Sequence, residues 1–202
     1  MSAPCCVAIF WAGLSLVATV AAGVGFYLPY WLQGNQSHTT PVYFGVFRRC
    51  NYPRLDASGR LHPVDECGRY ATFQDIPSLF WQIATVCVGV GTGVALLVSL
   101  TAVMALCARD VITPTVGRVA AAMQVCAGLL IGGGLGIYPN GWNNPEVQQA
   151  CGPGSGPYCL GSCSVGWSLY LTAGGGALTL MCSILACHAH NKKQALMASY
   201  QL

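Results

Sequence analysis

Four long stretches of the chain carry no charged side chain: residues 1–47, 76–108, 119–145 and 147–191. Each can supply the roughly 20 consecutive apolar residues with which a helix crosses a hydrocarbon layer about 30 Å thick. The pattern predicts membrane-spanning helices over residues 6–28, 78–108, 116–138 and 165–187. Polar residues gather between them, in a loop over 29–77, a tight turn over 109–115, a loop over 139–164 and a tail. Within the first loop, "VYFGVF" is rich in the β-branched and aromatic residues that suit a strand. "NYPRLDASGR" carries the Pro, Asp, Ser and Gly of a turn. The expected architecture is a single domain over residues 1–202, an all-α transmembrane four-helix bundle carrying a small extracellular β-sheet. The first apolar run is longer than the roughly 7–15 residues of a signal-peptide core, and no Lys or Arg precedes it. It is therefore expected to remain as a span.

Composition agrees with the pattern. Hydrophobic residues make up 54% of the chain and charged ones 7%, against about 25% charged in soluble domains. The net charge of +3 is spread over the loops and forms no patch for nucleic acid. Lys and Arg do not orient the chain, because Arg109, Arg118, Lys192 and Lys193 on one side face Arg48, Arg49, Arg54, Arg60 and Arg69 on the other.

Cysteine placement does orient it. Cys50 and Cys67 share the first loop, and Cys151, Cys159 and Cys163 share the other long loop. Disulfides persist in oxidising compartments, so both long loops are expected outside a plasma membrane and both termini in the cytoplasm. Asn35-Gln36-Ser37 matches a glycosylation acceptor, which makes Asn35 a candidate. A Cys50–Cys67 bridge enclosing sixteen residues contributes about 3 kcal/mol in the chain-entropy picture. The second loop has an odd number of cysteines, which leaves one thiol over, and spacing does not say which. Cys5, Cys6, Cys107 and Cys187 fall near cytoplasmic ends of spans, as palmitoylation candidates or as small fillers. Cys87, Cys126 and Cys182 read as packing residues.

The spans are rich in glycine. Gly128, Gly132 and Gly136 recur at four-residue spacing, with Gly133 and Gly134 between them. Gly174, Gly175 and Gly176 lie in the fourth span, and Gly89, Gly91 and Gly93 in the second. Small residues let helix backbones approach closely in a membrane, so Gly128, Gly132, Gly136 and Gly174 are candidates for packing within the bundle or against a partner helix. Gln82 and Gln124 should find partners across helices.

No Asp, Glu, Lys or Arg lies deep in a predicted span, which argues against pumps, ion-coupled transporters and voltage sensors. The chain has no Gly-x-Ser-x-Gly elbow, P-loop or His-Glu-x-x-His. No enzyme activity and no cofactor are expected. His188 and His190 are two ligands at a tail, too few for a metal site. The outer cysteines suit disulfides better than zinc in that compartment.

Several longer motifs carry a resemblance: "FYLPYWL", "FRRCNYP", "ECGRYATFQDIPS", "YPNGWNNPEV" and "CGPGSGPYCLGSCSVGWSLYL". Together, in this order, they closely resemble the lipoma HMGIC fusion partner-like (LHFPL) tetraspan family, over nearly the whole chain. That family is similar in architecture to the claudins. Trp31 stands where claudins have their first tryptophan, Gly45-Val46-Phe47 where they have Gly-Leu-Trp, and Cys50 and Cys67 where they have their cysteine pair. Phe47 in place of Trp agrees with an LHFPL relative and weakens a tight-junction reading. The resemblance implies a left-handed four-helix bundle under a small sheet, a Cys151–Cys163 bridge, and Cys159 as the spare thiol. Tetraspanins differ, because their larger loop follows the third span and carries Cys-Cys-Gly.

LHFPL proteins resemble auxiliary subunits that bind other membrane proteins and govern their assembly, trafficking or gating, in mechanotransduction complexes and with synaptic receptors. The resemblance thus implies integral membrane partners (a channel, receptor or adhesion molecule), the lipid bilayer itself, and a homo-oligomer as a further option. Candidate contact residues in the outer loop are Phe44, Val46, Phe47 and Arg48, whose alternative role is to fill and cap the sheet. Arg48 and Arg49 should point to opposite faces if they continue a strand, one toward an acidic partner or lipid headgroup. The alternative function is claudin-like cell–cell adhesion or barrier formation, for which the terminus "ASYQL" gives weak support as a PDZ-binding tail. A pore would have only the loop arginines to line it.

Overall fold

A computed structural model describes residues 3–36, 40–55, 61–63, 66–107 and 114–199. Ser37 of the Asn35 triplet, the turn at 108–113 and the chain end at 200–202 lie outside the described residues, as do the side chains of Cys5, Cys6, Cys107 and Cys187.

Four long helices stand where the charge-free stretches predict them: α1 (Ala3–Tyr27), α2 (Leu79–Cys107), α3 (Pro114–Ile137) and, after a short helix α4 (Pro145–Cys151), α5 (Trp167–Ser199). Each contains a window long and apolar enough to cross a membrane, which makes this a multi-pass membrane protein. α5 runs past its apolar window, which ends at Ala186, and past the predicted end at 187. The following residues "HAHNKKQALMAS" contain no Gly or Pro and are mostly good helix formers, so nothing stops the helix there.

In the bundle, α1 packs against α5 and α2, and α3 packs against α2 and α5. Small side chains line its interior, among them Ala18, Ala22, Ala84, Ala95, Ala121 and Ala127. Val17, Leu97, Leu129 and Met181 are exposed on its outside, where a bilayer would cover them. Three buried hydroxyls return to their own helix: Thr19, Thr172 and Thr179 donate to the carbonyls of Ser15, Ser168 and Gly175 at 2.8–2.9 Å.

The glycines divide by face. A Cβ on Gly175 would lie 2.5 Å from the Ala22 nitrogen, and one on Gly128 would lie 2.5 Å from Leu180, so both are needed for helix contact. Gly132, Gly136 and Gly174 face outward with no neighbour within 4 Å. Four-residue spacing advances about 400° around a helix of 3.6 residues per turn, so the row drifts some 40° at each step. Starting inside at Gly128, it has left the bundle by Gly132. Gln124 Nε2 donates to Ser15 Oγ across the α3–α1 contact at 2.9 Å. Gln82 differs from expectation, donating to the Ile76 carbonyl in the segment leading into its own helix.

The two long loops form β1 (Leu32–Gln36), β2 (Thr40–Phe44), β3 (Arg48–Cys50), β4 (Pro53–Leu55), β5 (Leu61–Pro63), β6 (Cys67–Arg69), β7 (Ser155–Gly156), β8 (Cys159–Leu160) and β9 (Ser164–Val165). β4 pairs with β5 and β7 with β8 in separate two-stranded ladders. The main sheet is antiparallel in the order β6-β3-β2-β1-β9. Sequence patterning places a sheet in the first loop; the structure adds a strand from the second. Without β9 the edge of β1 would leave backbone groups unpaired. Leu32 instead pairs with Val165, and Gly166 N donates to the Trp31 carbonyl at 2.8 Å.

The sheet lies on the end of the bundle over a core of Trp31, Leu32, Val42, Phe44, Trp81 and Tyr138. Alternation places Leu32, Val42 and Phe44 on the inner face.

Candidate functional site

Three aromatic rings fix the sheet to the helices. Tyr138, just past α3, stacks on Trp81 of α2 at 5.1 Å between centroids and meets Trp31 edge-on at 4.9 Å. Such pairs add about 0.5–1.5 kcal/mol each beyond the area they bury. Their polar ends are satisfied, since Trp31 Nε1 donates to the Gly25 carbonyl at 2.8 Å and Trp81 Nε1 to the Tyr138 carbonyl at 3.2 Å.

A charged cluster joins the two loops beside this core. Asn144 caps α4, its Oδ1 accepting from Val147 N at 2.9 Å, and Pro145 occupies the first turn. The helix so started carries Glu146, which accepts hydrogen bonds from Arg49 Nη1 of β3 and from Tyr70 Oη at 2.9 Å. The Arg49 guanidinium lies 3.9 Å from the Tyr52 ring centroid and 4.7 Å from that of Tyr70. With side-chain exposures of 24% and 29%, the Arg49–Glu146 pair is shielded enough to matter. Burial, and then the neighbouring Glu146 charge, push the Tyr70 hydroxyl well above its ordinary value, so it stays protonated and donates.

Arg48 and Arg49 do point to opposite faces. Arg49 finds its carboxylate within the chain, and Arg48 lies 4.4 Å over the Tyr27 ring at the end of α1. Phe47 packs against Phe26 and Tyr27 at 4.9 and 6.5 Å. Phe44 and Val46 are sealed in the core and present nothing to a partner. Of the four residues suggested for partner contact, Phe47 and Arg48 are the two that remain half-buried.

Cys50 is bonded to Cys67 and Cys151 to Cys163. Cys159 is an exposed free thiol on β8. Asn35 is exposed on β1. At the C-terminal end of α3, Tyr158 Oη donates to the Gly136 carbonyl at 2.7 Å and accepts from Asn140 Nδ2 at 3.2 Å. Sequence reasoning passed over Glu146 and α4. The signals were there: "NNPEV" is a cap, a first-turn proline and an acidic residue, the order that opens a helix.

Four long apolar helices with a small antiparallel sheet between the first two define a tetraspan membrane protein of claudin-like fold. The family profile described as lipoma HMGIC fusion partner-like protein matches residues 7–191. The chain is 30% identical over 195 residues to LHFPL tetraspan subfamily member 2a protein of Danio rerio, covering 91% of this chain and 87% of that relative. It is 29% identical to the human member 2 protein, with the same coverage, and 30% identical to the mouse member 4 protein, over 95% of this chain and 74% of that one. The chain belongs to the LHFPL family.

Proposed function

We propose that this protein is a non-enzymatic auxiliary subunit of the plasma membrane, with its sheet outside and both termini in the cytoplasm. It binds another integral membrane protein side-on and supports that partner's assembly, trafficking or gating. One observation carries the reading: Gly132, Gly133 and Gly136 form an outward face on α3 with nothing within 4 Å of any added Cβ. Glycine costs a helix about 1 kcal/mol relative to alanine, and here the bundle gains no contact from it. A partner helix seated on the row would gain close backbone approach.

Outside the membrane the disulfide-braced sheet, locked to α4 through Arg49 and Glu146, gives the partner a rigid cap to meet. Asn35, exposed on β1, is the proposed glycosylation site. Co-purification from a cell that makes the protein naturally tests the reading. Gly132→Leu/Gly136→Leu should keep surface level and lose the co-purifying membrane proteins, and full retention of those partners contradicts it. Enrichment only where two expressing cells touch would instead favour adhesion.

A further inference from the structure

In the ladder between β3 and β6, Arg48 stands directly opposite Arg69, and Cys50 directly opposite Cys67. Opposed residues share a face with Cβ atoms about 5 Å apart, and like charges so placed repel. The carboxylate on Glu146 is engaged on the other face, by Arg49. Among the described residues neither Arg48 nor Arg69 forms an ion pair. Arg48 rests on Tyr27, and Arg69 is exposed.

The height of this pair is set by its neighbours. Phe47, immediately before Arg48, packs on Phe26 and Tyr27, and Tyr27 is the last residue of the first apolar window. Immediately after Arg69, residues 70–78 lead into Leu79, the first residue of the second window. The arginines therefore occupy the membrane-proximal end of the ladder, with the disulfide two residues, about 7 Å, farther out. Tyr27, which ends the first apolar window, and Trp167, which starts the fourth, are exposed, as aromatic residues are where headgroups meet hydrocarbon. Two arginines, set opposite each other on a covalently closed ladder and with no ion-paired carboxylate among the described residues, thus stand next to the ends of two apolar windows. Guanidinium matches phosphate in charge and in its forked donor geometry.

We infer that Arg48 and Arg69 together hold the phosphate of a phospholipid headgroup in the leaflet beneath the sheet. The bound lipid relieves the repulsion between the two charges and tethers the free margin of the sheet to the membrane. The inference does not depend on the proposed partner face, which lies on α3.

The test reconstitutes the full chain in nanodiscs of equal parts phosphatidylcholine and phosphatidylglycerol, then counts retained phospholipids by native mass spectrometry. Arg48→Gln/Arg69→Gln should retain roughly tenfold less lipid, and Arg48→Lys/Arg69→Lys should recover part of it. Arg69→Gln alone, at an exposed position, should give a partial loss if the double variant fails to fold. Excess inorganic phosphate should compete poorly, and competition as strong as that of the lipid would assign the site to free phosphate and overturn the inference. Unchanged retention in the glutamine variant would overturn it too. So would unchanged lipid with loss of a bound acidic protein.

Discussion

Glu146 is the one charged residue between Arg118 and Lys192, and it holds the two long loops together through Arg49 and Tyr70. Replacing it with glutamine leaves Arg49 half-buried without a counter-charge and should cost about 1–3 kcal/mol. A double-mutant cycle of Glu146→Gln and Arg49→Gln, read by thermal unfolding in detergent, should show coupling above roughly 0.5 kcal/mol; additive losses would show that the pair does not hold the loops. Tyr70 sets an alkaline limit. Its folded-state value is raised above the ordinary one near 10, so its contribution is complete below about pH 10 and falls as pH rises above that. Tyr70→Phe should flatten the alkaline decline, and an unchanged decline would place its cause elsewhere. The isolation of Glu146 in an uncharged run was legible in the sequence. Its partner was not, because 97 residues separate it from Arg49 and only the folded sheet brings β3 to α4.

Each long helix was legible because charges are excluded from a bilayer core, which leaves a one-dimensional signal of length and polarity. The strand β9 was not, because two residues carry no period and their pairing is a property of β1's open edge. The faces of the glycines were equally hidden: spacing shows that residues align, and only packing shows against what. Gly175→Leu would drive a side chain into the α1 backbone at Ala18 and Ala22 and should abolish accumulation of folded protein. Gly132→Leu should leave folding intact, since nothing lies within 4 Å of it. Equal yields of the two variants by fluorescence-detected gel filtration would contradict this division of faces.

At the scale of the whole molecule, a sheet drawn from both loops closes over one end of the bundle, and two disulfides brace it. The Cys50–Cys67 link joins positions 17 apart in sequence and should contribute about 3 kcal/mol. Cys50→Ser is expected to lower surface level through retention in the secretory pathway, and normal surface labelling would count against a structural bridge. In the proposed role the rigid cap and the outward glycine row would divide the work, one fixing the shape of the loop region and the other meeting a neighbour within the membrane. The most direct measurement of that claim is photo-crosslinking in intact cells, with a photoreactive residue at Gly132 or, on the outward face of α2, at Val90. Discrete adducts with one integral membrane protein at Gly132, and none at Val90, are the expected result. Adducts at both positions alike, or at neither, would contradict it.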